Sequence, residues 1–283
     1  MAFNKTIQMC IFDGNPNGII MSEISNWNGR AYKIPRNEIS VFSQRYDSDN
    51  TGIYFLFGKN EDNVDTVYIG ESEQILPRLK QHLRDSNYWS TCVTIISKDN
   101  VLNKAHIKYL ENKFYNLAIL SGRYIIINNS IPTCSSVSEY DEAMLEEFIV
   151  NAKLLVNTLG FKSFDTIEEN IDQHENNTVI FSISSARGAN AKGCLVSDGF
   201  AVLKDSVMAS STVPSIDQSI VRQREFLLES GVVNENYTFV KDYIFTKPSS
   251  AASVVMGRNA NGRTEWKTSD KRTIKDIEEE NNA

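Results

Sequence analysis

Cysteine and proline are scarce in this chain of 283 residues, which holds four of the first and six of the second. Cys10, Cys92, Cys134 and Cys194 are widely scattered, so neither the close pairs of a zinc site nor a disulfide framework is present. Reduced thiols in a cytoplasmic protein are the expectation. No apolar run approaches the roughly eighteen residues of a membrane span. The start Met1-Ala2-Phe3-Asn4-Lys5 lacks the apolar stretch of a secretory signal. A membrane partner is therefore not expected.

An excess of positive charge is also missing, since the formal net charge is −7. That balance opposes a polyanionic partner until it is divided along the chain. Residues 1–51 are neutral, 52–130 carry +1, 131–183 carry −8, 184–268 carry +2 and 269–283 carry −2. The acidity belongs to one connecting stretch. Local cations such as Arg78, Lys80 and Arg84 can still neutralise a few phosphates.

What is present begins at Gly52-Ile53-Tyr54-Phe55-Leu56-Phe57-Gly58, an apolar and aromatic run bounded by glycines. A second β-rich run, Val67-Tyr68-Ile69-Gly70, follows a polar connection from Lys59 to Asp65. The pattern predicts a hairpin with a tyrosine on each strand. Ile75, Leu79 and Leu83 then recur at helical spacing, which places Arg78 and His82 one turn apart on a common face. A second helix is expected over Val101 to Leu120, with Ile107, Leu110, Phe114, Leu117 and Ala118 as its apolar stripe and Glu111 beside it. Taken singly, each residue has a plainer account. Glu111 would pair with Lys108 along its own helix, and Arg78 and Lys80 would form a solvated face.

The order Gly-Ile-Tyr, Tyr-Ile-Gly, Arg, His and a later helical Glu resembles the GIY-YIG nuclease superfamily. The resemblance implies an α+β nuclease core, a small antiparallel sheet flanked by helices. It also implies a metal-dependent endonuclease acting on DNA, with one Mg²⁺ or Mn²⁺ held by Glu111. Tyr54, Tyr68, Arg78, His82 and Glu111 would share the site, and Asn128 in the Gly122 to Asn129 segment would be its asparagine, with Asn129 adjoining. A non-catalytic DNA-binding or regulatory protein of the same fold is the alternative, opposed by intact Tyr54, Arg78 and Glu111. An RNA substrate stays open.

The chemistry explains the grouping. Phosphodiester hydrolysis needs an activated water, neutralised charge on the phosphate and a protonated leaving oxygen. Glu111 offers a hard oxygen ligand suited to Mg²⁺, which binds through few carboxylates and keeps several waters. A lone acidic ligand without cysteine or clustered histidine favours magnesium or manganese over zinc. Arg78 offers a planar donor fork for phosphate oxygens. Tyr54 is the candidate base, its proton drawn off through Tyr68 or His82, because a free phenol has a pKa near 10.

Around this core the expected organisation is a β-rich extension over 1–51, the nuclease domain over 52–132, an acidic helical linker over 133–183, a small C-terminal α+β domain over 184–268 and a disordered tail over 269–283. The extension contains a strand from Thr6 to Phe12, an Asn15-Pro16-Asn17-Gly18 turn and a second hairpin through Trp27 to Arg36. Within the linker, Ser138 to Leu159 reads as a helix with acids near its start, and Phe161 to Asn177 as exposed polar chain. Beyond it, strands at Thr178 to Ser184 and Phe200 to Leu203, a helix at Ser215 to Ser230 and a small-residue helix at Ser249 to Val255 are expected. Asn261-Gly262 reads as a turn. The segments Gly188 to Gly193 and Ser249 to Lys267 resemble a small domain of unknown function that often follows GIY-YIG nuclease domains. Arg258, Arg263 and Lys267, with Lys80 and Arg84 upstream, are candidate nucleic-acid contacts. Trp266 is expected in the core.

Overall fold

The computed structural model describes residues 4–60, 64–85, 87–165, 179–196 and 199–281. The chain divides into two compact units, residues 1–165 and 166–283. Among the described residues no helix is long and apolar enough to cross a membrane.

The first unit is built on β1 (Ile7–Ile11), β2 (Ile20–Ile24), β3 (Gly29–Pro35), β4 (Gly52–Lys59), β5 (Asp65–Ser72), β6 (Trp89–Ser97) and β7 (Ile125–Ile126). They form one mixed sheet in the order β1-β2-β3-β6-β4-β5-β7. All pairs are antiparallel except β5 with β7. The expected small antiparallel sheet is thus larger and mixed. Residues 1–51 are no separate extension, because β3 pairs with β6 over Gly29–Pro35 and continues the sheet.

β4 lies between β5 and β6 and is buried on both faces, which is why its sequence runs apolar without alternation. Ile53, Phe55 and Phe57 face one side, with Val67, Ile69, Val93 and Ile95. That side is covered by Ile107, Leu110 and Phe114 of α3 (Lys104–Ser121) and by Leu145, Phe148, Ile149 and Leu155 of α4 (Glu139–Thr158). Tyr54 and Leu56 face the other side with Tyr32, Ile34 and Cys92. There they meet Phe42 of α1 (Ile39–Phe42) and Ile75, Leu76 and Leu79 of α2 (Ile75–Asp85).

The expected acidic linker is corrected as well. The acidic helix is present, with Ser138 accepting from the Asp141 amide at 3.1 Å as its N-cap. It is no linker, because its apolar side closes the core over β2 and β3. Phe164 is buried too, its ring 4.7 Å from Phe55 and 4.8 Å from Phe114. The polar stretch expected from Phe161 to Asn177 falls outside the described residues from 166 onward.

The second unit carries β8 (Ile180–Ser184), β9 (Asn190–Val196), β10 (Gly199–Val202) and β11 (Tyr243–Phe245) in the antiparallel order β11-β10-β9-β8. Strand β8 therefore belongs here and not to a linker. With α5 (Gln218–Glu229), α6 (Pro248–Met256), α7 (Gly262–Glu265) and α8 (Ile274–Asn281), the sheet encloses Phe181, Phe200, Leu227, Phe239, Phe245, Val254, Val255 and Trp266. Helix α6 stops at Gly257, whose φ of 64° is the left-handed conformation that ends helices. Asn261-Gly262 begins α7, where a hairpin turn is expected, because the Asn261 side chain accepts from the Arg263 amide at 3.1 Å.

The tail over 269–283 is also folded as far as residue 281. Thr273 and Asp276 cap α8 reciprocally, at 2.8 and 3.2 Å, and Ile274 is fully buried. Two apolar anchors, Ile274 and Ile277, outweigh a polar composition.

Candidate functional site

The two motif tyrosines lie on one face of adjacent antiparallel strands, Tyr54 opposite Gly70 and Tyr68 opposite Leu56. Gly70 has a steric role. A Cβ there would overlap Cζ and Oη of Tyr54, so the absent side chain is what lets the Tyr54 ring cross β5. The rings of Tyr54 and Tyr68 stack with centroids 6.2 Å apart.

Helix α2 delivers the next two residues. His82 Nε2 lies 2.9 Å from Tyr54 Oη, and Arg78 Nε donates to the same oxygen at 3.2 Å. Tyr68 accepts a side-chain hydrogen bond from Arg78 and packs edge-on against His82, with centroids 4.9 Å apart. Arg78 Nη1 also donates to Gln81. One turn of helix, apolar on its inner face, thus aims a cation and an imidazole at a single phenol.

Burial sets the ionisation of this cluster. Tyr54 is fully buried, which drives its pKa well above the ordinary phenol value, with Tyr68 adding to the rise and Arg78 opposing it. Burial, then the charge of Arg78, lowers His82 to about 4. Near neutral pH the pair is therefore a neutral phenol beside a neutral imidazole.

Glu111 on α3 belongs to the opposite layer of the sheet, yet Glu71, Lys104, Arg78 and Lys108 all act on its charge. Its pKa rises to about 7, first from burial and second from Glu71. Among the described residues β7 pairs with β5 only at Thr66 and Val67, so the rest of that strand edge has no neighbouring strand there. Asn128 continues the edge with its side chain. Its Oδ1 accepts from the Ile69 amide at 3.0 Å and its Nδ2 donates to the Ile69 carbonyl at 2.7 Å. With its amide so engaged, Asn128 fixes the backbone between Tyr68 and Gly70.

A cleft of about 830 Å³ opens beside the cluster, lined by residues that include Thr51, Glu71, Gln74, Arg78, Gln81 and Lys104. Sequence reasoning singled out neither Glu71 nor the contact it makes. Lys104 Nζ donates to both Glu71 carboxylate oxygens, at 2.7 and 2.8 Å. The available signal was strand alternation: Glu71 follows Gly70 in β5 and so turns toward the α3 side. The expected Glu111 and Lys108 pair reduces to a minor electrostatic influence.

The donor set fits one hard divalent cation. Among the described residues no group of three or more His, Cys, Asp or Glu side chains is gathered for a metal. Glu111 offers carboxylate oxygens, the hard ligand type that magnesium takes alongside several waters. A carboxyl held near 7 by burial and a neighbouring anion is one that a cation would return to its ionised form.

The proposed nucleic-acid contacts are placed differently. Lys80 and Arg84 are exposed on α2 and stand outside the cleft lining. In the second unit Arg258 pairs with Glu265 at 2.7 Å, and Arg263 Nε with Glu278 at 2.9 Å. Lys267 is exposed and its backbone bridges to Ser182. Trp266 is buried in the core and donates to the Pro248 carbonyl at 3.1 Å.

No curated protein and no solved structure matches the chain. Residues 181–278, from β8 into α8, match the family model of a domain of unknown function, DUF4357.

Proposed function

We propose that residues 1–165 form a GIY-YIG type endonuclease that hydrolyses DNA phosphodiester bonds with one bound Mg²⁺ or Mn²⁺. The observation that carries this reading is the hydrogen-bonded set of Tyr54, His82 and Arg78, with Tyr68 against it and Glu111 electrostatically coupled to it.

Each side chain has a defined task. Arg78 faces the cleft and presents guanidinium donors to a phosphate oxygen while its Nε holds Tyr54 in place. The Tyr54 hydroxyl donates to the neutral His82 and accepts from Arg78, which leaves one lone pair on Oη. A proton arriving there passes on through the phenol to His82, so a free phenolate, opposed by burial, need not form. Tyr68 orients Arg78, and Asn128 holds the strand that carries Tyr68. Glu111 would hold the metal ion, which when bound supplies Lewis-acid stabilisation of charge on the phosphate. The second unit would add a tethered contact to the nucleic acid that raises effective concentration without entering the chemical step.

Cleavage of single-stranded, duplex and branched DNA and of RNA in Mg²⁺ tests the reading. Glu111→Gln keeps the side chain's size and is expected to lower the rate by about 10³-fold or more. Arg78→Lys is expected to lower it by about 10²-fold, since a point charge cannot replace the guanidinium fork. Equal rates for wild type and Glu111→Gln would remove Glu111 as the ligand, and a wild type inert on every substrate would remove the nuclease.

A further inference from the structure

Lys104 occupies an odd place for a cation. It is the first residue of α3, directly after the N-cap Asn103, where the positive end of the helix dipole disfavours positive charge. What holds it there lies outside the helix: both oxygens of Glu71 accept from its ammonium. The two ends of this pair differ in exposure. The Glu71 side chain is only 12% exposed, whereas that of Lys104 is 47% exposed. A nearly buried carboxylate needs a counter-charge, while a half-exposed lysine on a flexible stem can leave at little cost. Both line the cleft into which Arg78 faces, and both act on Glu111.

We propose that Lys104 is an internal stand-in for the divalent cation: it neutralises Glu71 in the metal-free protein and is released to a substrate phosphate when the ion binds between Glu71 and Glu111. The inference rests on the reading of Glu111 as a metal ligand and extends it in two respects. Glu71 becomes the second anionic ligand, and Lys104 becomes a positioning cation whose availability depends on metal occupancy. Metal binding and phosphate binding are then coupled, because the same ammonium cannot serve Glu71 and a phosphate at once. Coupling of this kind is reciprocal: phosphate that captures Lys104 tightens the metal site. Arg78 and Lys104, from different helices, flank the cleft as a pair of donors for a backbone phosphate.

The test is a titration of the full-length chain with Mn²⁺, read by electron paramagnetic resonance of the free ion and needing no turnover. Lys104→Met removes the competitor and is expected to tighten Mn²⁺ about two- to fivefold, the worth of a partly exposed ion pair. Glu71→Gln is expected to weaken Mn²⁺ by about tenfold or more. Binding of an uncleavable phosphorothioate duplex supplies the second readout. The salt dependence of its affinity is expected to lose about one ion for Lys104→Met in the presence of Ca²⁺, and nothing in EDTA.

Equal Mn²⁺ curves for wild type and Lys104→Met, including the case in which neither binds, overturn the proposal. Glu111→Gln separates the two levels of argument. If it abolishes Mn²⁺ binding while Glu71→Gln and Lys104→Met behave as wild type, the stand-in fails and the metal ligand survives. If Glu111→Gln binds as wild type, the underlying reading fails as well.

Discussion

Arg78 and Arg224 each point a guanidinium from a helix toward the interior of its own unit, and they are partnered in contrasting ways. Arg78 bonds the side chains of Tyr54 and Gln81 and lines an open cleft. Arg224 is 5% exposed and donates to the backbone carbonyls of Ala209 and Val254, the latter in the last turn of α6. Burial lowers its pKa, with only the Tyr237 charge opposing. A cation whose donors end on carbonyls serves the fold. One tied to side chains at an open cleft keeps donors for an incoming anion. On the proposed reading, chemistry then belongs to the first unit, and Arg224 serves the architecture of the second.

Glycine offers the sharpest way to break that comparison. A Cβ at Gly70 would overlap Tyr54, and a Cβ at Gly193 would overlap the Ala201 carbonyl and the Phe200 ring. Gly70→Ala and Gly193→Ala are each expected to cost about 1–3 kcal/mol by overpacking, measured by denaturant melts. Only Gly70→Ala displaces the phenol from His82 and Arg78, so it alone is expected to reduce cleavage, by about 10²-fold or more. Loss of cleavage with Gly193→Ala at a temperature where the variant is folded would show that the second unit enters the chemistry.

The arginines supply the next test. Arg224→Met leaves two carbonyls without their donor and is expected to destabilise by about 1–3 kcal/mol for each, with the rate per folded molecule unchanged. Arg78→Met is expected to do the reverse, leaving the melt near wild type while cleavage falls by about 10²-fold. A melt that moves as far for Arg78→Met as for Arg224→Met would make Arg78 a structural residue.

How far this was legible in the sequence follows from how local each signal is. The Tyr54 and Tyr68 hairpin, the i, i+4 pairing of Arg78 with His82 and the helix beginning near Ser138 are set within a few residues, and all are read directly. The sheet's extent is not, since β3 reaches β6 across a long stretch of intervening chain and no local pattern encodes that partner. The same limit hid Lys104 on Glu71, 33 residues apart, and made the neighbouring Lys108 seem the partner of Glu111. Alternation could have placed Glu71 on the α3 side, but not an ammonium upon it. The tail was misjudged by composition, because two apolar anchors, Ile274 and Ile277, decide its fate.

Glu111 makes the first unit's stability depend on pH. Its folded pKa of about 7 lies above the ordinary carboxyl value near 4.5, so folding favours the protonated form. The destabilisation is absent below about 4.5, grows as pH rises, and is complete above about 7. Glu111→Gln is therefore expected to melt higher than wild type at pH 8, with the gap closing as pH falls from 7 toward 4.5. Adding Mg²⁺ at pH 8 is expected to raise wild type and leave Glu111→Gln unmoved, and chelation to undo the rise. A constant gap from pH 5 to 8 would place the Glu111 carboxyl in water.

The smallest effect is expected from the second unit's surface cations. Phe164 packs on Phe55 and Phe114, so a fragment that keeps the first unit's core has to extend to residue 165. Residues 1–165 are expected to retain metal-dependent cleavage and to bind DNA more weakly than the full chain, through loss of the tethered contact. Arg258 and Arg263 are expected to contribute little to that difference, because Glu265 and Glu278 already take their donors and an exposed pair is worth about 0–1 kcal/mol. Binding of duplex DNA across a salt series checks the point. If the double variant Arg258→Gln, Arg263→Gln lowers the salt slope by about two, both cations leave their glutamates for phosphates, and the second unit has a nucleic-acid surface that its ion pairs conceal.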